Sequence, residues 1–287
     1  MSLWGKEIVP CSTFHTFARL SSKPDKKFMA MFMGFMDGDG YFDLGEQKQY
    51  NKNKILAKST IRIRLATNVN VRDLTLLEYF VKTLGAGKID YSMMARKEQV
   101  RVIFSKKDLF TVIIPLIKEY DLMFLTSQRA KQFARVNYIL ENSIIHWDEF
   151  KFKEPMFVAK SVQDLVKLNY YADWLVGFTM AEGSFGIKAD GSAFYQLKQS
   201  GNENVNILKA ASLLITAEES KRIFNPDSKG AYQLSLTSIK NIEQVIYFFS
   251  SPDYHPLYSY KLDQYLNFIS ALKTSKRYSS IAAKFNK

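Results

Sequence analysis

Phe32-Met33-Gly34-Phe35-Met36-Asp37-Gly38-Asp39-Gly40 decides how this chain is read, because a second version follows as Leu175-Val176-Gly177-Phe178-Thr179-Met180-Ala181-Glu182-Gly183. Each copy is an apolar run with glycine third and an acid eighth, followed by glycine and an aromatic segment, Tyr41-Phe42 or Ser184-Phe185. Apolar residues on every side of the central glycine suit a helix buried nearly all round. Glycine inside a helix costs about 1 kcal/mol relative to alanine, so it needs a reason. Close approach of a second backbone is such a reason, which makes Gly34 and Gly177 the expected helix interface. Two helices packed through those glycines lay their C-terminal ends side by side and bring Asp39 to Glu182. Carboxylates forced together either share a proton or bind a cation, and the cation is the reading favoured here.

Both segments resemble the LAGLIDADG signature, and two copies in one chain resemble a single-chain LAGLIDADG homing endonuclease. Length and charge agree. The chain has 287 residues, 47% of them hydrophobic, enough for one large domain or two ordinary ones. Lys+Arg 40 against Asp+Glu 28 leaves a formal charge of +12. That excess points to a polyanionic partner, nucleic acid first and an anionic membrane surface second. No apolar run approaches the ~20 residues of a membrane span. A single cysteine, Cys11, excludes a disulfide framework and a multi-cysteine zinc site, and His15, His146 and His255 are too scattered for metal-ligand spacing.

Outward from the first motif, Asp25 is a fitting N-cap for a helix whose apolar face is Phe28, Met31, Phe32 and Phe35. Residues 1–24 read as a flexible N-terminal arm, with a transit peptide or the remnant of a fused reading frame as alternatives. After Gly40 the period becomes two. A lysine-rich hairpin loop is expected over residues 47–54, then a strand in which Ile61, Ile63 and Leu65 face a core while Arg62 and Arg64 face away. Residues 72–84 read as a helix ended by Gly85, residues 87–104 as a second hairpin with Gln99 and Arg101 outward, and 106–118 and 127–141 as helices. Residues 142–169 lose periodicity and read as a linker. The succession then restarts. Ser105, Lys107, Val112 and Ile113 match Ser238, Lys240, Val245 and Ile246 at an offset of 133, whereas Asp39 and Glu182 are 143 apart. A longer first hairpin loop in the N-terminal half is expected to absorb the difference.

The fold class is therefore α+β: two pseudo-symmetric αββαββα repeats (25–141 and 170–287), with antiparallel sheets forming a saddle around a central pair of motif helices. Paired strands fit the DNA major groove. Arg62, Arg64, Gln99, Arg101, Lys188 and Gln233 are the expected DNA-binding residues on the open faces. The false trails close quickly. Asp37-Gly38-Asp39-Gly40 has Phe42 where a calcium loop needs glycine, and Gly38, Gly40 and Gly45 lack a dinucleotide spacing.

The resemblance implies divalent-metal-dependent hydrolysis of both strands of a long asymmetric target by a monomer. It implies a metal site at Asp39 and Glu182 with their neighbours Gly38 and Ala181. Mg²⁺ is the expected cofactor, with Mn²⁺ as substitute and Ca²⁺ binding without turnover. In the family a lysine just inside the last helix of a half assists; Lys261 matches it, and Gln128 is the departing N-terminal counterpart at offset 133. An amide position falls on Gln199, and on Asn68 at offset 131. Met180 departs from the acid that Asp37 supplies at the sixth position, a change expected to affect the helix end rather than metal binding. Two other functions compete with the nuclease: an RNA maturase that binds intron RNA and assists splicing, and a catalytically dead DNA-binding module. Retention of both acids argues against the last. Richness in Lys, Asn, Ile, Phe and Tyr, with the family's habits, leans to a fungal mitochondrial intron product.

Overall fold

In the computed structural model, which describes residues 23–54, 56–219, 223–224 and 230–282, the two motif segments are adjacent helices. The expected N-terminal arm lies, but for its last two residues, outside the described residues. Helix α1 (Lys26–Gly38) starts where Asp25 Oδ1 accepts from the Phe28 N–H at 2.7 Å, and its residues from Phe28 to Asp37 are all buried. Strand β1 (Gly40–Tyr50) follows after one residue, then β2 (Leu56–Asn70), α2 (Leu74–Leu84), β3 (Lys88–Asp90), β4 (Gln99–Ser105), a helical stretch α3 (residues 106–119) and α4 (Ser127–Glu141). Gly85 ends α2 in the left-handed region at φ 59°, a conformation that costs glycine nothing.

The second succession is α5 (Tyr171–Glu182), β5 (Gly183–Ile187), β6 (Ala193–Ser200), α6 (Val205–Thr216), β7 (Ile223–Phe224), β8 (Ala231–Leu236), α7 (Ile239–Ser250) and α8 (Ser259–Thr274). The sheets are antiparallel throughout, in the orders β1-β2-β4-β3 and β5-β6-β8-β7. Each turns one face toward the helices: Phe42, Ile63, Leu65, Val102 and Phe104 are buried in the first, and Phe185, Tyr195, Leu197 and Leu234 in the second.

The motif helices meet backbone to backbone. A Cβ added at Gly34 would stand 1.9 Å from the Trp174 carbonyl oxygen, and one at Gly177 would stand 1.8 Å from that of Met31. Phe178 N and Phe35 N close the same two contacts, each at 2.9 Å. Each contact is thus repeated with the roles of the halves exchanged, as a twofold relation demands.

The first hairpin differs from expectation. The extra residues lengthen the strands, not the loop: Gln47 to Tyr50 continue β1, and pairing runs from Gly40↔Thr67 to Tyr50↔Leu56. In the second half the hairpin is short, from Gly183↔Leu197 to Ile187↔Ala193. Because β5 stops at Ile187, Lys188 sits on the turn, its N–H bonded to the Ser192 carbonyl at 2.9 Å, rather than on the strand face. Residues 142–169 hold a 3₁₀ turn (Trp147–Glu149) and a short helix (Val162–Val166). They also cover the part of β2 that β4 leaves unpaired: the Ile61 N–H donates to Ile145 O at 2.9 Å, and His146 Nδ1 lies 2.8 Å from Ser59 O.

Asp37 and its counterpart Met180 show how the repeat was varied. Asp37 accepts from Leu125 N (2.8 Å), Thr126 N (3.0 Å), Thr126 Oγ1 (2.6 Å) and Trp174 Nε1 (2.8 Å). It thereby caps the entry to α4 and ties it to the opposite motif helix. Burial pushes the Asp37 carboxyl up to about 6, against the opposing pull of those donors. Met180 offers only a thioether to the Tyr258 N–H, at 3.3 Å, a weak acceptor. Asp173 supplements it by accepting from His255 N at 2.6 Å.

Replacing Gly34 or Gly177 by alanine forces two backbones apart. Each substitution is expected to lower the unfolding free energy by roughly 2 kcal/mol or more, after allowing for alanine's better helix propensity. Urea denaturation of each variant checks this, and an unchanged midpoint would show that the helices do not touch at these residues.

Candidate nuclease site at the ends of the motif helices

The C-terminal turns of α1 and α5 converge below the glycine contact. A Cβ on Gly38 would lie 2.5 Å from Ala181 Cβ and 3.1 Å from Glu182 Cγ, so the absence of a side chain at residue 38 lets the two ends close. Asp39, the next residue, has its carbonyl fixed by Thr67 Oγ1 at 2.9 Å. The structure therefore brings Asp39, Glu182, Gly38 and Ala181 to one place.

Two cations stand beside the two acids. Lys261, in the first turn of α8, is buried and donates to Gly183 O at 2.5 Å and Gln264 Oε1 at 3.2 Å. Arg129, in the first turn of α4, is buried and donates from Nη1 to Gln132 Oε1 at 2.5 Å. Its Nε is enclosed without a partner. Each half thus supplies one carboxylate from its motif helix and one cation from its last helix.

The electrostatics are those of a crowded recess. Loss of surrounding water, then the like charge of Glu182 and of Asp73, push the Asp39 carboxyl up to about 7, while Lys261 and Arg129 pull it down. The outer part of Asp39 reaches solvent, so water screens part of that push. Burial likewise raises Glu182, opposed by Arg129 and Lys261. Burial lowers Lys261 and Arg129, which the neighbouring acids counter. An oxygen-only donor set crowded with negative charge fits a hard divalent cation. Among the described residues no three His, Cys, Asp or Glu side chains converge, so backbone carbonyls, water and substrate oxygens are left to complete any coordination shell.

Other expected positions fall differently. Helices α4 and α8 begin at Ser127 and Ser259, and by that register the counterpart of Lys261 is Arg129. Gln128 is exposed. The offset of 133, taken from Ser105 and Ser238, is one too long at these helices, and the buried arginine one residue further along was missed. Gln199 shares strand parity with the buried Tyr195 and Leu197. The outward residue is Lys198, paired with Gln233, just as Asn68 is paired with Arg101. Asn68 and Lys198, not Asn68 and Gln199, are thus the equivalent pair.

The halves also brace each other beside the acids. Ser127 N donates to Asn204 Oδ1 and Ser127 Oγ to Glu203 Oε1, both at 2.9 Å. Reciprocally, Thr75 Oγ1 donates to Ser259 Oγ at 2.8 Å, and Ser259 Oγ to Arg72 O at 3.2 Å. Sequence reading gave no signal for these contacts, which depend on the relative placement of the halves.

Comparison with known proteins agrees with this geometry. The family model described as LAGLIDADG endonuclease matches residues 32–140 and 175–272. The chain is 31% identical over 192 residues to a probable intron-encoded endonuclease, Cox1-I1b, of Schizosaccharomyces pombe, covering 60% of this chain and 46% of that protein. It is 21% identical over 170 residues to the probable intron-encoded endonuclease aI3 of Dictyostelium discoideum, covering 58% of this chain and 66% of that one. The crystal structure of I-SmaMI bound to an uncleaved DNA target in the presence of calcium ions superposes with a TM-score of 0.65 at 18% identity, covering 89% of this chain and 96% of that one. I-SmaMI is also known bound to cleaved DNA. With both motif regions matched and the fold shared, the chain belongs to the LAGLIDADG endonuclease family.

Proposed function

We propose that the chain is a monomeric, site-specific endonuclease that hydrolyses both strands of a long asymmetric DNA target. In this reading two repeats, 25–141 and 170–287, are joined by the linker 142–169, and the protein acts in mitochondria as an intron product. The observation that carries the proposal is the junction at Gly38, where the acid-bearing ends of α1 and α5 meet between two buried cations. The two backbones of duplex DNA are antiparallel and related by twofold axes. A site that is itself duplicated by a pseudo-twofold offers one carboxylate and one cation to each strand. The relatives' names are those of endonucleases, which favours cleavage over the splicing-cofactor alternative.

Asp39 and Glu182 are the residues that would hold Mg²⁺, with the Gly38 and Ala181 carbonyls beside them; when bound, a divalent cation supplies Lewis-acid polarisation of a phosphate oxygen and a more acidic water. Lys261 is held by Gly183 O, so its charge stays at the floor of the recess, where it offsets the negative charge of a phosphate. Arg129 does the same for the other half. Neither cation has to reorganise on binding, because burial and fixed acceptors already set their positions. Arg62, Arg64, Gln99, Arg101, Lys188 and Gln233 remain the proposed DNA contacts, with Lys198 added by its outward register.

Asp39→Asn and Glu182→Gln are each expected to reduce cleavage on the order of a thousandfold, while duplex binding without divalent ions is kept. Retained cleavage in either variant would overturn the proposal. Arg129→Gln and Lys261→Met are expected to slow single-turnover cleavage about ten- to a hundredfold, whereas Gln128→Ala should leave the rate unchanged.

The raised Asp39 gives a readout independent of cleavage. With its carboxyl raised toward about 7, Asp39 in the native state binds a proton between pH 4 and 7 more readily than the unfolded chain, which titrates near 4. Asp39's contribution to stability is therefore present at low pH and is lost as pH rises from about 4 to about 7. Because a metal ligand must be ionised, Mg²⁺ binding should release a proton at pH 6 and almost none at pH 8. Titration calorimetry in buffers of different ionisation enthalpy measures this, and Asp39→Asn should remove the difference.

A further inference from the structure

The outward face of the first sheet carries two guanidinium–carboxylate pairs that the proposed chemistry does not use. Arg62 donates from Nε to Asp43 Oδ2 and from Nη2 to Asp43 Oδ1, both at 3.0 Å. In the ladder Asp43 lies opposite Arg64, and Arg62 lies opposite Gly45. Arg62 therefore reaches diagonally, and a Cβ at Gly45 would come within 3.0 Å of its Nη2. Arg101 donates from Nη2 to Asp90 Oδ2 at 2.7 Å, while Asp90 Oδ1 is held by the Ser92 N–H at 2.9 Å. Both pairs remain partly open to solvent, with side-chain exposures of 34% and 30% for Arg62 and Asp43 and 31% and 23% for Arg101 and Asp90.

Resting on the endonuclease reading above, we propose that Asp43 and Asp90 are positioning residues that aim Arg62 and Arg101 at guanines in the half of the target under the first sheet. Geometry supplies the first reason. A guanidinium has five donors in a flat fork. Asp43 occupies the Nε/Nη2 edge of Arg62, which leaves two parallel N–H groups on the Nη1/Nη2 edge. That edge matches the adjacent O6 and N7 acceptors of guanine in the major groove. Arg101 is held through Nη2 by Asp90 and by a side-chain hydrogen bond to Tyr41, while its Nε is enclosed without a partner, so the N–H groups it has left to offer lie on its Nη atoms.

Charge supplies the second reason. A pair whose cation is balanced by its own carboxylate attracts a phosphate less than an unpaired cation does, and Asp43 or Asp90 would repel one. Unpaired cations for the backbone are close at hand. Arg64 makes no ion pair among the described residues, although it is directly across from Asp43. Paired and unpaired arginines on one face thus divide base reading from backbone attraction. As isolated surface ion pairs the two would add little to stability, which gives their fixed orientation no evident structural purpose. Register sets their order. Arg101 is paired with Asn68, next to the Gly40↔Thr67 rung beside the acids, while Arg62 lies five rungs away along β2. The guanine of Arg62 is the outer of the two.

The test is selection of bound duplexes from a randomised library in Ca²⁺ by the full chain and by Arg62→Gln, Arg101→Gln and Asp43→Asn. The wild-type chain should select guanine at an inner and an outer position of one half-site. Arg62→Gln should lose the outer preference alone, and Arg101→Gln the inner alone, by about ten- to a hundredfold in relative affinity for guanine over other bases. Asp43→Asn should weaken the outer preference while keeping overall affinity within a few-fold. If Arg62→Gln lowers affinity uniformly with every base preference intact, Arg62 binds phosphate and the proposal is overturned. If Asp43→Asn leaves the outer preference at full strength, the buttress is overturned. A wild-type library with strong enrichment but no guanine at either position overturns the assignment while leaving the endonuclease reading standing. A library without any enriched sequence overturns the endonuclease reading itself.

Discussion

Contact between two peptide backbones, with no side chain between them, is the constraint on which this structure depends. At Gly34 and Gly177 each motif helix meets a carbonyl of the other at a distance no Cβ tolerates. That closeness fixes the axis of the pseudo-twofold and sets the separation of the sheets hung from it. It also delivers Asp39 and Glu182 to one recess. Helices at ordinary spacing, 8–10 Å between axes, would leave room for side chains between them and would part the acids.

Around that axis the halves are alike in plan and unlike in detail. Asp37 draws four donors, while Met180 and Asp173 share the corresponding task less symmetrically. One cation is a lysine anchored on a carbonyl, and the other an arginine with an unpartnered Nε. The first sheet is long and carries charged pairs outward. The second is short, and its outward face holds Phe194 over Gly186 and Gln196 bonded to Ser235 at 3.4 Å. In the proposed reading, duplication supplies a centre matched to two strands, and divergence of the faces suits a target whose halves differ.

Much of this was legible in the chain because it rests on local pattern. Glycine inside two apolar runs announced the close helices, alternation at Ile61, Ile63 and Leu65 announced the strand, and Asp25 and Gly85 marked helix ends. Register was not legible to one residue, and a slip of one decides which side chain is buried. Counting from Ser105 put Gln128 where Arg129 belongs, and an assumed offset put Gln199 on the wrong face. The length of the first hairpin was visible, but not that its lysine-rich segment would remain in strand, where pairing with β2 outweighs weak propensity. The pairings of Asp43 and Asp90 escaped notice because cross-strand partners, diagonal for Asp43 and Arg62 and directly opposite for Asp90 and Arg101, exist only once the ladder is known.

Beside the acids, Ser127 of one half hangs on Asn204 and Glu203 of the other, and Ser259 returns the gesture through Thr75 and Arg72. Hinging the halves apart would break the bond that Asn204 gives the first N–H of α4 and the hydroxyl chain at the start of α8, the two helices that carry the cations. A duplex that settles onto the saddle from its open side would leave all four contacts intact. Chimaeras that join halves of different relatives would inherit the same condition: the graft has to match across those four hydroxyl and amide contacts as well as along the glycine seam.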